Sequence, residues 1–384
     1  MREIREYECP RCGGRVEYDP KSGLLVCPYC GAEFEPEAFA EKLAKAQPVD
    51  TESPAAETVS YARVPGEQLE RWNPSEEPGL TSYICESCGG EIIADVNKAA
   101  LRCPYCDNPV LVPRKLEAQY KPNYVIPFRF SKEQAIEAFR QHASAHKLVP
   151  DIFSAKSHLE EVQGIYLPYW LISCRAKANY AFEASTTESV RSGDRIYTTE
   201  RIYDVKRQGA LNFEQIPVEA STKHSRALLE SLEPYDFSQL QPFNEGYLAG
   251  FLADKYDLEA EASEPRAKQR IQKTMETAFN KTLSDYERFS LRDMELNLDQ
   301  MKFEYALLPV WILNTRWQNE LYHFAMNGQT GKLIGDLPED RSKVRKARLK
   351  YGLIYALLAL LLGYFLLPYL VRLFLVNNLL GYLL

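Results

Sequence analysis

The chain has 384 residues, 45% of them hydrophobic and 26% charged, with nine cysteines and a formal net charge of -7. That apolar content excludes a disordered chain and suffices for two or three folded units with cores of their own. The acidic balance argues against a surface built to neutralise many phosphates.

The opening stretch "MREIREYECPRC" places charges and a cysteine where a signal peptide needs an apolar run, so the bulk of the chain is expected in the cytoplasm. In a reducing compartment, nine thiols point to metal ligands rather than disulfides. Residues 1–36 form the first expected unit. Cys9 and Cys12 make one C-x2-C pair, and fourteen residues separate it from Cys27 and Cys30. Four thiolates on two short knuckles satisfy a tetrahedral Zn2+ and leave no coordination position open, so a structural zinc ribbon is expected. Gly13 and Gly31 follow the second cysteine of their knuckles, where positive φ turns backbone amides toward sulfur.

Residues 37–80 are rich in Pro, Glu and Ala and read as a flexible linker, with short helices over Glu37–Ala46 and Gly66–Trp72. Residues 81–115 then repeat the first unit. Cys85, Cys88, Cys103 and Cys106 keep the same spacing, and an offset of 76 residues aligns Tyr7 with Tyr83, Gly13-Gly14 with Gly89-Gly90 and Leu25 with Leu101. Asp107 takes the place of the fourth knuckle glycine. A single C-x2-C fits a redox pair or a staple; two pairs of pairs at one spacing point to two Zn2+ sites. Residues 1–36 carry five basic and seven acidic side chains, and residues 81–115 four of each. Neither ribbon has the basic stripe of a nucleic-acid face, so protein contact or structural support is expected, from two beads on a loose tether.

Residues 120–338 read as an α+β domain of antiparallel strands and helices. "NYVIPFRF" is an expected strand, and Ser131 with Gln134 makes a capping box that opens a helix through about Lys147. The stretch from Ile165 into "RIYTTERIYDVKR" reads as antiparallel strands around Ser192-Gly193-Asp194, with "ALNFEQIPVEA" continuing a meander. Helices are expected over Ser225–Leu232, Gly246–Tyr256 and Ser263–Leu283, and strands from Met294 to Ile334. "YLPYWLIS" and "LLPVWILN" share a Leu-Pro-x-Trp core, which suggests paired strands of two related halves, with Trp170 and Trp311 buried and each proline at a strand start or edge.

Catalytic signals fail on inspection, and no enzyme is expected. "NGQTGK" lacks the spacing and the Ser/Thr of a phosphate loop and reads as a hairpin turn. His142 and His146 lack the glutamate of a zinc protease, and two histidines make an incomplete ligand set. Cys174 reads as a buried small residue.

Residues 339–350 form a basic segment with Arg341, Lys343, Arg345, Lys346, Arg348 and Lys350, and residues 351–384 a hydrophobic tail. Positions 351 to 371 carry no charge across 21 residues, about 31 Å of helix, enough for one membrane span. The basic cluster sets the N-terminal side in the cytoplasm and offers contacts to anionic membrane lipid. The helix is expected to end near Arg372, with "LFLVNNLLGYLL" lying in the interface or re-entering.

The doubled cysteine clusters, "QGIYLPYWL", "EPYDFSQLQPFNEGYLAGFLADKYD", "YALLPVWILNTRW" and "FAMNGQTGKLIGDLP" resemble a family of bacterial membrane-anchored proteins with two N-terminal zinc ribbons, described as TFIIB-type zinc ribbon-containing. The resemblance implies a membrane complex with a TPM-domain protein and recruitment of SPFH/flotillin-like and phage-shock-type proteins in envelope stress. The expected function is therefore a membrane-anchored zinc-binding adaptor; a membrane-tied nucleic-acid-binding or regulatory protein is the alternative.

Overall fold

The computed structural model describes residues 9–12, 14, 16–39, 69–72, 80–95, 102–106, 108, 112–114, 120–155, 159, 161–318, 320–335 and 337–381. The chain forms two compact units, residues 1–136 with 161–335 and residues 137–160 with 336–384. The class is α+β, as the sequence implies.

In the first unit, β1 (Glu17–Asp19), β2 (Leu24–Val26) and β3 (Glu33–Phe34) make a small antiparallel sheet in the first ribbon. A second sheet of eleven strands contains β4 (Leu80–Ile84), β5 (Glu91–Asp95) and β6 (Val112–Arg114) of the second ribbon. It continues with β7 (Tyr124–Val125), β8 (Gln163–Ser192), β9 (Arg195–Glu219), β10 (Gln241–Pro242), β11 (Leu252–Asp254), β12 (Arg288–Trp317), β13 (Glu320–Asn327) and β14 (Leu333–Gly335). The main order is β10-β7-β12-β8-β11-β5-β4-β6, with β9 on β8, β13 on β12 and β14 on β13. The second ribbon is therefore no separate bead, because β5 pairs with β11 through Ile93↔Ala253 and Ile92↔Asp254.

β8 and β12, each 30 residues long, pair antiparallel along most of their length. Two sequence patterns explain how one strand serves two environments. "IYLPYWLI" is apolar at every position because both faces of the sheet are covered there, and Tyr166, Leu167, Tyr169, Trp170 and Leu171 are all buried. Beyond it, Cys174, Ala176, Ala178, Tyr180, Phe182 and Ala184 alternate with Arg175, Lys177 and Asn179, so one face is dry and the other wet. Helix α3 (Glu264–Lys281; α1, Lys132–Ala145, and α2, Arg226–Leu232, precede it) lays Ile271, Met275 and Phe279 on that dry face at helical spacing. The expected meander is instead one hairpin: β9 runs on past Ala210 as the antiparallel partner of β8.

The Leu-Pro-x-Trp strands do pair, and they organise two halves built as β7-α1-β8-β9 and β11-α3-β12-β13. Each half lends its short first strand to the other, β7 lying parallel to β12 and β11 parallel to β8. The halves share their tethers as well. Trp170 Nε1 donates to the Leu258 carbonyl at 2.8 Å, and Trp311 Nε1 to the Phe130 carbonyl at 3.1 Å.

Contrary to expectation, both prolines lie inside long strands with neighbours on both sides, Pro168 toward the start of β8 and Pro309 toward the end of β12. Pro168 lies between the last residue paired to β11, Tyr166, and the first paired to β9, Tyr169. Pro309 lies between Leu307, paired to β7, and Val310, paired to β13. The missing N–H thus falls where one neighbouring strand gives way to the next, and each carbonyl is still used, accepting from Ala220 N at 3.0 Å and Gly328 N at 2.9 Å.

Other departures have local causes. "NYVIPFRF" is a strand only over Tyr124–Val125. The stretch expected as a helix over Gly246–Tyr256 is a 3-10 turn at Glu245–Leu248 followed by β11, since Gly250 takes φ +91° and the surrounding apolar residues are buried on all sides. α1 opens at the capping box, with Ser131 N donating to Gln134 Oε1 at 2.8 Å, and Ser225 caps α2, accepting from Leu228 N at 3.3 Å. At the start of the linker, residues 37–39 are helical, residues 40–46 and 66–68 lie outside the described residues, and Arg71 bridges Tyr120 as a strand would rather than continuing a helix.

In the second unit, Asp340 caps α4 (Arg341–Gly381) by accepting from Ser342 N at 2.7 Å, and Lys343 Nζ donates to the Val149 carbonyl at 2.7 Å and Asp151 Oδ1 at 2.6 Å. The helix does not end near Arg372; its backbone runs on to Gly381. One stretch of it, Arg341–Pro368, is long and apolar enough to cross a membrane, with none of its apolar window buried.

Trp170 sits at the centre of this arrangement, 0% exposed, whereas Tyr197 near the hairpin tip is 57% exposed. Trp170→Ala is expected to cost ~3–5 kcal/mol and Tyr197→Ala less than about 0.5 kcal/mol, read by denaturation of the detergent-extracted full chain.

Candidate metal centres

All four knuckles close with the same backbone hydrogen bond, from the first cysteine to the carbonyl five residues on. Cys9 N donates to Gly14 O at 2.6 Å, Cys27 N to Ala32 O at 2.9 Å, Cys85 N to Gly90 O at 2.8 Å and Cys103 N to Asn108 O at 2.9 Å. Gly31 and Gly89 take φ +67° and +71°, as the turn requires of a residue without a Cβ, while Gly13 and Asp107 lie outside the described residues. Gly14 N points at Cys12 Sγ at 3.4 Å.

These turns bring the eight predicted cysteines into two groups of four. In the first, Cys9 Sγ lies 3.6 Å from Cys30 Sγ, and Cys12 Sγ 3.5 Å from Cys27 Sγ. In the second, Cys85 Sγ lies 3.6 Å from Cys106 Sγ, and Cys88 Sγ 3.5 Å from Cys103 Sγ. Within each group every sulfur is within 4.8 Å of the others. A disulfide needs about 2.05 Å. A tetrahedron with metal–sulfur bonds of about 2.3 Å has edges near 3.8 Å, so the spacing fits four thiolates around one ion. Each group can hold a metal ion, and both are consistent with zinc. The first cysteine of every pair is buried and the second more open, so each site sits at the rim of its ribbon.

The ninth cysteine, Cys174, is buried in β8, where burial pushes its thiol pKa up. Among the described residues His142 and His146 join no metal-ligating group; their rings lie 5.2 Å apart. "NGQTGK" is the expected turn: Asn327 Oδ1 accepts from Gln329 N and Thr330 N, both at 2.9 Å, and Gly331 takes φ +76°. Asn327 Nδ2 and the Gln329 side chain then bond the backbone at Leu232 and Asp236, which pins this turn to the segment after α2.

The two ribbons are seated differently. The first is held by its strands: Tyr18 N donates to Ala249 O at 3.2 Å and the Tyr18 ring packs edge-on against Tyr247 at 5.4 Å. A cleft of about 540 Å³ opens beside it, lined by Tyr18, Phe251 and Trp311 and by charges of both signs, Glu17, Asp19 and Glu133 with Arg102 and Lys132.

The second ribbon is held by its strand edge and by its "CPYC" knuckle. Tyr105 is 9% exposed and lies against His224 at 5.1 Å, with Lys223 Nζ 5.6 Å from its ring centroid. Asn314 Nδ2 donates to the Pro104 carbonyl at 2.6 Å and Arg316 to the Cys106 carbonyl at 3.0 Å. Lys223 also pairs with the buried Asp254 of β11 at 3.1 Å.

Next to this seat, Lys255 Nζ meets both Glu91 oxygens at 2.9 Å. Burial raises the Glu91 pKa, but the Ser82 hydroxyl, Lys255 and Lys223 outweigh it and hold the carboxyl below its ordinary value. Burial, with His323 and Lys223 near, lowers His224 to about 4, so its ring packs neutral. Sequence reading gave no role to Lys223, His224, Asp254, Asn314 or Arg316. They are isolated in sequence, in "STKHS", "LADK" and "LNTRW", and only the fold gathers them.

No family model matches the chain and no solved structure matches it. It is similar to "Uncharacterized protein YdjG" of Bacillus subtilis (strain 168), 29% identical over 341 residues, which cover 89% of this chain and 92% of that one.

The unequal seating generates an asymmetric expectation. Cys9→Ser and Cys85→Ser each lower bound metal by one ion per chain, but only Cys85→Ser loosens the large sheet. Amide exchange at Ala253 should quicken roughly tenfold or more in Cys85→Ser and stay unchanged in Cys9→Ser.

Proposed function

We propose that the chain is a membrane-anchored, zinc-binding adaptor that holds protein partners at a bacterial membrane. The observation that carries this is the pairing of two closed four-cysteine sites with a helix whose apolar window is unburied among the described residues. Four thiolates complete a tetrahedral ion and leave no position for substrate, so the ion's part is to fold the ribbon that presents a surface. Soft tetrahedral sulfur sites select zinc or iron–sulfur chemistry, and short C-x2-C knuckles closing on one centre favour zinc.

The anchor follows from solvation. From Tyr351 to Leu367 large side chains such as Tyr355, Leu360 and Phe365 are 69–75% exposed around the helix. In water that surface is costly at about 25 cal/mol per Å², and a bilayer removes the cost. The six basic residues of the first helical turns support a cytoplasmic side for the N-terminal part by the positive-inside rule, and they themselves suit anionic lipid headgroups. Anchoring raises the local concentration of whatever the ribbons hold. The family resemblance supplies the partner classes, SPFH/flotillin-like, TPM-domain and phage-shock-type proteins acting in envelope stress.

The full chain should remain in carbonate-washed membranes, and a chain cut before residue 341 should move to the soluble fraction. Affinity purification from intact membranes should retain a protein of one of those classes. Recovery of the full chain as a soluble protein contradicts the anchor. A salt-dependent affinity for DNA or RNA with no protein partner favours a membrane-tied nucleic-acid binder instead.

A further inference from the structure

The two ribbons are copies, and the second shows what its "CPYC" knuckle binds. There, Tyr105 inserts beneath a lysine, and an asparagine and an arginine grip the carbonyls of Pro104 and Cys106. The same knuckle in the first ribbon, Cys27–Cys30, is built alike. The Tyr29 ring lies against Gly14 as the Tyr105 ring lies against Gly90, so close that a Cβ on either glycine would collide with it. Yet Tyr29 is 78% exposed where Tyr105 is 9% exposed, and Pro28 and Cys30 are exposed beside it. Among the described residues, no side chain meets the Pro28 or Cys30 carbonyl.

We propose that the Cys27–Cys30 knuckle is a docking face for a partner protein that presents a lysine or arginine over the Tyr29 ring, beside amide or guanidinium donors for the Pro28 and Cys30 carbonyls. The inference rests on the adaptor reading and names the surface that does the holding. Charge agrees with it. The described residues of the first ribbon carry Glu17, Asp19, Glu33 and Glu35 against Arg11 and Lys21. A basic partner surface is complementary to this, and a nucleic-acid backbone is not. A solvated tyrosine is no anchor in itself; here the fold contains a worked example of the same ring filled by a cation, an interaction of useful strength once desolvated. The docking also leaves the metal site intact, because the knuckle offers its ring and carbonyls rather than its sulfurs.

The test uses the full chain in its own membranes, with Tyr29 replaced by a photo-crosslinking phenylalanine analogue and, separately, by Tyr29→Ala and Tyr29→Phe. The proposal expects an adduct at position 29 with a different protein, on a peptide containing lysine or arginine. Capture of that protein should fall about tenfold in Tyr29→Ala and persist in Tyr29→Phe, whose ring keeps its π face, while bound metal stays unchanged in both. Position 105, replaced in the same way, should crosslink within its own chain. Adducts at position 29 with nucleic acid, with lipid or with a second copy of this chain overturn the proposal, as does the lack of any adduct. If protein partners are retained equally by the native chain and Tyr29→Ala, the adaptor reading stands and the knuckle assignment falls. If the native chain retains no protein partner, both fall.

Discussion

A proline has no N–H to donate, and the centre of this fold is arranged around two of them. β8 and β12 run side by side through the core, and each is flanked on its far side first by one strand and then by another. The change of neighbour is where Pro168 and Pro309 sit, so a residue that would break a continuous ladder instead marks the joint of a discontinuous one. From that joint the remaining order follows. β11 and β7 must each end where the following hairpin partner begins, and they cross over to the other half's long strand. Their outer edges are left to be paired, by β5 for the one and β10 for the other. The second ribbon belongs to the large sheet because β11 presents an edge that β5 completes.

Duplication followed by divergence also describes the ribbons. Both keep the knuckle hydrogen bond and the sulfur spacing, and Gly31 and Gly89 keep the positive-φ turn, which are what a tetrahedral site demands of the backbone. What differs is the use of the surface around the site. In one copy the tyrosine, the prolyl carbonyl and the last cysteine's carbonyl are consumed by the chain's own Lys223, Asn314 and Arg316. In the other, β1 and β2 do the docking through Tyr18 and Leu25, and the knuckle faces outward. The first metal centre therefore shapes a surface, and the second a surface and a sheet.

Much of the site was legible in the sequence, and the reason is local. Ligand spacing, positive-φ glycines and capping boxes are set by a few consecutive residues, so Cys9 to Cys30, Gly31, Gly89 and Ser131 with Gln134 could be placed without knowing the fold. The paired Leu-Pro-x-Trp strands were legible because duplication repeats a pattern. The prolines' positions were misread because a proline's fitness depends on what lies beside the strand. The stretch Gly246–Tyr256 was misread for a related reason: burial on all sides erases the polar face by which a helix is told from a strand. The seat of Tyr105 was invisible, since its parts come from three separate segments of chain, none of them near the knuckle in sequence. The helical continuation past Arg372 was missed because one charge was taken as a terminus, whereas helix backbone satisfies itself whatever the side chain.

An adaptor tied to a bilayer must be, in one particle, metal-loaded, membrane-extracted and attached to another protein. Native mass spectrometry of the full-length chain, released gently from its own membranes, reads all three at once. The account predicts the chain mass plus two zinc ions, with a population carrying a second, different polypeptide. A particle with no zinc, or a two-zinc chain that never carries another protein under any release condition, contradicts it.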